Sequence, residues 1–171
     1  MEPTKKGREQ MSVKEVKEYL SQWGLDQGVM EMEMSSATVE LAAEAVGVIP
    51  ARIAKTLSFK QGESCILIVT AGDAKIDNTK FKSTFGMKAK MLSAEEVETL
   101  TGHPVGGVCP FALKHPNIQV YTDISMKRFD TVYPACGSGN SAVELTCDQL
   151  FTASASSGWI DVCKGWKIEA V

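Results

Sequence analysis

Histidine is scarce in this chain: its 171 residues hold two, His103 and His115. Neither has a Ser or Asp at a spacing that would suggest a hydrolase triad, and neither joins two cysteines at zinc-ligand spacing. There is no C-x-x-C pair. The five cysteines, Cys65, Cys109, Cys136, Cys147 and Cys163, are odd in number, so reduced thiols are expected rather than a disulfide framework. No apolar run approaches the ~20 residues of a membrane span. A basic excess is missing too: 18 Lys and Arg against 21 Asp and Glu leave a net charge of -3. That excludes a general nucleic-acid coat and leaves room for a local basic patch. The opening MEPTKKGREQ has charges but no apolar h-region behind it, unlike a secretory signal. These absences predict a cytoplasmic protein without metal, cofactor or membrane contact.

What is present is the composition of a globular domain, 44% hydrophobic and 23% charged. At this length one domain is expected, burying roughly 70% of its unfolded surface. Residues 1–11 lack periodicity and read as a loose leader, with the folded domain over 12–171. Ser12-x-x-Glu15 has the form of a capping box, followed by the helical stripe Val13, Val16, Tyr19, Leu20 and Trp23. Met30, Met32 and Met34 alternate with glutamates, which predicts a half-buried strand whose methionines belong to the core. A short helix is expected from Thr38 to Val46. Ile53–Phe59 alternates, and a turn at Gln61–Ser64 leads into Cys65–Ala71, an apolar run suited to a central strand. Asp77 caps a helix bearing Phe81 and Phe85. A strand near Ala89–Leu92 precedes a second capping box, Ser93-x-x-Glu96, and a helix that stops at Gly102.

From His103 to Pro116 periodicity vanishes. Strands are then expected at Ile118–Tyr121, Thr131–Ala135 and Ala142–Leu145, a helical turn at Gln149–Ala153, and a returning segment at Trp159–Cys163. Strands neither alternate strictly with helices nor segregate from them. The fold class is therefore α+β: one domain with a mixed, mostly antiparallel curved sheet and surrounding helices.

Three features could carry chemistry. Lys55 shares its strand face with Ile53, Leu57 and Phe59, so it must reach past them to solvent, find a partner, or line a cavity. Desolvation in a cavity would lower its pKa. The second feature is the loop from Thr101 through Gly106, Gly107, Val108, Cys109 and Pro110 to Phe111. Its Gly and Pro content fixes an unusual path and lets a ligand approach the main chain, with His103 beside it facing the same pocket. The third is Cys136-Gly137-Ser138-Gly139-Asn140-Ser141, a small-residue loop without the full P-loop or G-x-S-x-G pattern. Separately, Lys75, Lys80, Lys82, Lys88 and Lys90 outnumber nearby acids, either to grip a phosphate backbone or as a solvated helix face.

Arg52-Ile53-Ala54-Lys55-Thr56-Leu57, then Thr101-Gly102 through Gly106-Gly107-Val108-Cys109-Pro110, then Gly137 followed by Val143-Glu144-Leu145, resemble the YbaK/EbsC family. These are free-standing relatives of the editing domain inserted in prolyl-tRNA synthetases, and the similarity runs from about Ser12 to about Phe151. The resemblance implies hydrolysis of the ester joining a small wrong amino acid to tRNA, usually tRNA(Pro), with prolyl-tRNA synthetase as a partner. It implies Lys55 as the functional lysine and Gly106 to Pro110 as the substrate loop, with His103, Gly137 and Asn140 also expected at the substrate. Cys109 stands where many relatives carry Ser, and would make one pocket wall more apolar. Ala142 stands where some carry Asp. A non-catalytic module holding tRNA or a small metabolite is the competing reading of the same fold.

Overall fold

The computed structural model describes residues 4–33, 38–115 and 117–166. Helix α1 (Lys5–Leu20) starts at Lys5 rather than Ser12, with the Thr4 hydroxyl accepting from the Gly7 N–H at 3.0 Å. Ser12 is therefore a buried mid-helix residue and caps nothing. The first turns carry mainly charged and polar side chains, so they needed no apolar stripe to be helical. Of the stripe, Val13, Val16 and Leu20 are buried and Tyr19 is half-buried, while Trp23 lies beyond the helix in a 3-10 turn and is 38% exposed.

Strand β1 (Met30–Glu31) is short, and Met30 is 37% exposed rather than in the core. Met34 lies outside the described residues. Helix α2 (Val39–Val46) runs from its Thr38 cap to Gly47 at φ 78. Strands β2 (Ile53–Gln61) and β3 (Ser64–Ala71) form a hairpin whose turn includes Gly62 at φ 59. Ile66, Leu67, Ile68 and Val69 of β3 are all fully buried. Each such side chain contributes about 1.5–3 kcal/mol, so β3 is the backbone of the core.

Strand β4 (Lys75–Ile76) leads to α3 (Asn78–Phe85), capped by the Asp77 carboxylate and ended by Gly86 at φ 71. The expected strand at Ala89–Leu92 reduces to a single bridge, Phe59 to Met91, flanked by Lys60 N–H to Lys90 O and Leu92 N–H to Ser58 O. It lies as a strap along the β2 edge beyond the short parallel pairing at Ile53 and Ala54. Helix α4 (Ala94–Thr101) has both halves of the Ser93–Glu96 capping box.

After the Gly/Pro loop come β5 (Gln119–Asp123), β6 (Thr131–Pro134), β7 (Ser141–Ala142), β8 (Leu145–Thr146), α5 (Cys147–Ala153), β9 (Trp159–Ile160) and β10 (Cys163–Lys164). The single strand expected at Ala142–Leu145 is split because its two ends take different partners, β7 pairing with β1 and β8 with β6. The main sheet has the order β8-β6-β2-β3-β5-β9, and the ribbons β1-β7 and β4-β10 flank it. It is mixed but not mostly antiparallel as expected: β2–β3 and β6–β8 are antiparallel, while β2–β6, β3–β5 and β5–β9 are parallel, because these strands meet through crossovers rather than hairpins. Among the described residues no helix is long and apolar enough to cross a membrane. The five cysteines are free thiols.

Candidate functional site

A cavity of about 380 Å³ opens over the start of β2. Its floor is Ile53, Ala54, Lys55, Thr56 and Ser58. Helix α2 gives Val39 and Ala42, α4 gives Ala94 and Val97, and the strap gives Met91 and Leu92. The far wall is made by the two irregular loops, through Val105, Gly106 and Val108 from one and Ser138 and Gly139 from the other. The lining is mostly apolar, with the hydroxyl residues Thr38, Thr56, Ser58, Tyr133, Ser138 and Ser141 as neutral polar groups and Lys55 as its cation. A few convergent polar groups in an apolar cleft are what orient a small ligand.

Lys55 is half-buried, and its ammonium donates to the Gly72 carbonyl at a long 3.4 Å. Burial pushes its pKa below the usual lysine range, while Cys163 and the Asp73 carboxylate pull the other way. Gly72 must be glycine here, because a Cβ would overlap the Pro50 carbonyl and Val39. Close packing of this turn against α2 thus sets where the carbonyl that holds Lys55 can lie.

The two loops are pressed together by glycine. A Cβ on Gly107 would overlap the Gly137–Ser138 peptide, and one on Gly137, at φ 99, would overlap Ser12 of α1. Gly106, at φ 97, lines the cavity and has open space where its Cβ would stand. Helix α1, one loop and the other therefore stack backbone on backbone.

Of the residues predicted at the substrate, Lys55, Gly106 and Val108 are brought together around the cavity. The others take supporting places. His103 is fully buried behind the loop rather than facing the pocket. Its Nδ1 lies 2.5 Å from the Ser12 hydroxyl and its Nε2 2.6 Å from the Phe111 carbonyl. Burial works against a charged ring, but the adjacent Cys109 sulfur and the Phe111 carbonyl favour the protonated form and raise its pKa overall. Cys109 is also fully buried, 3.5 Å from His103 Nε2, and forms no cavity wall. Core packing claims this side chain because the loop's chain direction turns it inward. Pro110 is buried, and Gly107 and Gly137 sit in the glycine stack. Asn140 braces the cavity mouth, donating from Nδ2 to the Met32 carbonyl at 2.8 Å.

Ser58 and Met91 line the cavity without having been expected there, and Thr56 and Ser138 were expected only as members of their motifs. Thr56 and Ser58 alternate to the strand face opposite Lys55, so the period-2 pattern offered no signal for them, while Met91 and Ser138 arrive from elements distant in sequence. Of the lysine group, Lys80 is tied to Asp161 at 3.0 Å and the Cys163 carbonyl at 3.1 Å. Lys75 lies on the β4-β10 ribbon. Lys82 and Lys88 line a second, open depression, and Lys90 is exposed on the strap.

Residues 33–153 match the aminoacyl-tRNA editing domain family. The chain is 58% identical over 158 residues to the uncharacterized protein YwhH of Bacillus subtilis, a match spanning 92% of this chain and all of that one. It is 31% identical over 91 residues to the proline–tRNA ligase of Caldicellulosiruptor bescii, covering 53% of this chain and 15% of the ligase. Among solved structures, a proposed trans-editing enzyme for prolyl tRNA synthetase superposes with a TM-score of 0.81 at 27% identity, over 90% of this chain and 98% of that one.

Proposed function

The chain belongs to the aminoacyl-tRNA editing domain family, and from that premise we propose that it is a free-standing deacylase that hydrolyses the ester of a small mischarged amino acid, such as Cys, Ala or Ser, on tRNA(Pro). The observation that carries this reading is the cavity of about 380 Å³ with Lys55 at its floor and Gly106 across from it. Its size suits a small side chain and a ribose. In the reaction, water adds to the ester carbonyl, the carbonyl carbon–ribose oxygen bond breaks, and the ribose hydroxyl leaves with a proton. An aminoacyl ester is already activated and carries a neighbouring hydroxyl on its own ribose. The protein's contribution is then position and charge: Lys55 stabilises negative charge developing in the transition state, and the loops hold the carbonyl.

Prolyl-tRNA synthetase is the partner from which the mischarged tRNA would come, which places the protein in the cytoplasm with translation. The test is a panel of tRNA(Pro) species charged with alanine, cysteine, serine, proline and phenylalanine, scored for deacylation. Small esters should be removed, with proline and phenylalanine spared. Phenylalanine released as fast as alanine sinks the size argument, and tight binding without hydrolysis of any ester would identify a non-catalytic module.

A further inference from the structure

The segment Asn78–Leu92 carries Lys80, Lys82, Lys88 and Lys90 and no Asp or Glu, in a chain whose net charge is -3. Lys80 is spent on Asp161. Among the described residues Lys82, Lys88 and Lys90 make no ion pair. Lys82 and Lys88 border the same depression, of about 700 Å³, together with Asn78, Thr79 and Ser83. This depression adjoins the cavity through the chain itself. Lys88 and Ala89 line one, Met91 and Leu92 line the other, and the strap between them is held extended on β2 by the Lys60–Lys90 and Leu92–Ser58 backbone bonds. At ~3.3 Å per extended residue, Lys88 to Met91 spans about 10 Å, the length of about three stacked nucleotide steps. At the cavity end stand two apolar side chains left in solvent, Met91 at 59% exposed and Val105 at 51%.

Resting on the editing reading, we propose that the depression, strap and cavity mouth form one track for the single-stranded 3′ end of the tRNA. The ester enters the cavity and the terminal base lies against Met91 and Val105. The preceding phosphates pass along the strap to Lys88 and Lys82, where the Thr79 and Ser83 hydroxyls add donors. The occupant follows from the charges: unpaired cations with neighbouring hydroxyls suit a phosphate backbone, and exposed apolar groups suit the face of a base. It also follows from continuity, since the acceptor strand is covalently joined to the amino acid in the cavity. This polarity explains how an acidic protein holds tRNA with few lysines.

The test is binding of uncharged tRNA(Pro) across a salt series by wild type, the double variant Lys82→Glu/Lys88→Glu, and Lys127→Glu as a control. Lys127 lies over the Trp159 ring, away from the strap in sequence. The double variant should bind about tenfold more weakly and lose about 1.4 from the slope of log K against log salt, two phosphate contacts at ~0.7 each. Its kcat on an alanyl ester of adenosine, which lacks those phosphates, should be unchanged. Met91→Ser should raise KM for that adenosine ester several-fold. Unchanged tRNA affinity and slope in the double variant, or an equal loss in Lys127→Glu, would overturn the track. An unchanged KM in Met91→Ser would overturn the base platform. Failure of the editing reading is separate: wild type would then hydrolyse no ester, while the tRNA titration would still report on the lysines.

Discussion

At the scale of single residues, the role proposed for Lys55 has a signature in stability as well as in activity. Its half-buried ammonium titrates below the usual lysine value of 10.5, so the unfolded chain binds that proton more tightly than the folded one. Stability contributed by this group therefore rises with pH between the folded and unfolded pKa values, and the cost of the charge is fully present at lower pH. Lys55→Met should raise Tm most near about pH 7, with the gain shrinking towards about pH 10. Deacylation by the same variant should drop on the order of 10²-fold or more, since a cation placed at developing charge is worth several kcal/mol. Normal turnover in a folded Lys55 variant would move the chemistry elsewhere. His103 is a different kind of residue. Replacing it with Ala would strand the buried Ser12 hydroxyl and the Phe111 carbonyl. Each lost partner costs about 1–3 kcal/mol, so His103→Ala should show a large fall in the denaturant midpoint. Cys109→Ser, with its side chain behind the wall, should leave the order of preferred esters unchanged in the tRNA panel.

At the scale of elements, the helix ends were the most legible part of the sequence. Asp77 and Ser93 cap α3 and α4 as expected, because a cap is a contact between residues three apart or fewer, and Thr38, expected as the first helical residue, caps α2 instead. The strap and the split strand at Ala142–Leu145 were not legible as such, because each depends on an edge supplied by a remote segment. The loops show the same division. Their glycines were visible as a sign of unusual backbone, but that Gly107 rests on the Gly137–Ser138 peptide is a fact of assembly. Gly107→Ala should destabilise the protein by at least about 1–3 kcal/mol, since the obstacle is backbone and cannot move aside as a side chain would. A thermal melt reads this directly, and an unchanged Tm would mean the two loops do not press together in solution.

At the scale of the whole molecule, the part that matches the family does not contain all of its own support. Residues 33–153 leave out α1, whose Val16 and Leu20 are fully buried and whose Tyr19 hydroxyl donates to the Ala153 carbonyl at 2.5 Å. They also leave out the return segment, where Val162 N–H donates to Asp123 and Asp77 N–H to the Val162 carbonyl. A fragment of 33–153 should therefore lose cooperative unfolding and amide protection, while the full chain melts in one transition. A fragment as protected as the full chain would show α1 to be dispensable.

The sequence by itself determined the class of fold, the central hairpin, the Asp77 and Ser93 helix caps and the lysine and loop that frame the cavity. Those are written in local periodicity and in short motifs, where neighbours in sequence are neighbours in space. Only the tertiary structure decided which side of the loop faces the cavity. That choice turned His103 and Cys109 into the core and left Gly106 and Val108 at the cavity. Side-chain direction in an aperiodic loop has no repeat to read. It is set by what the loop packs against, here α1 and a second loop that meet it from far along the chain.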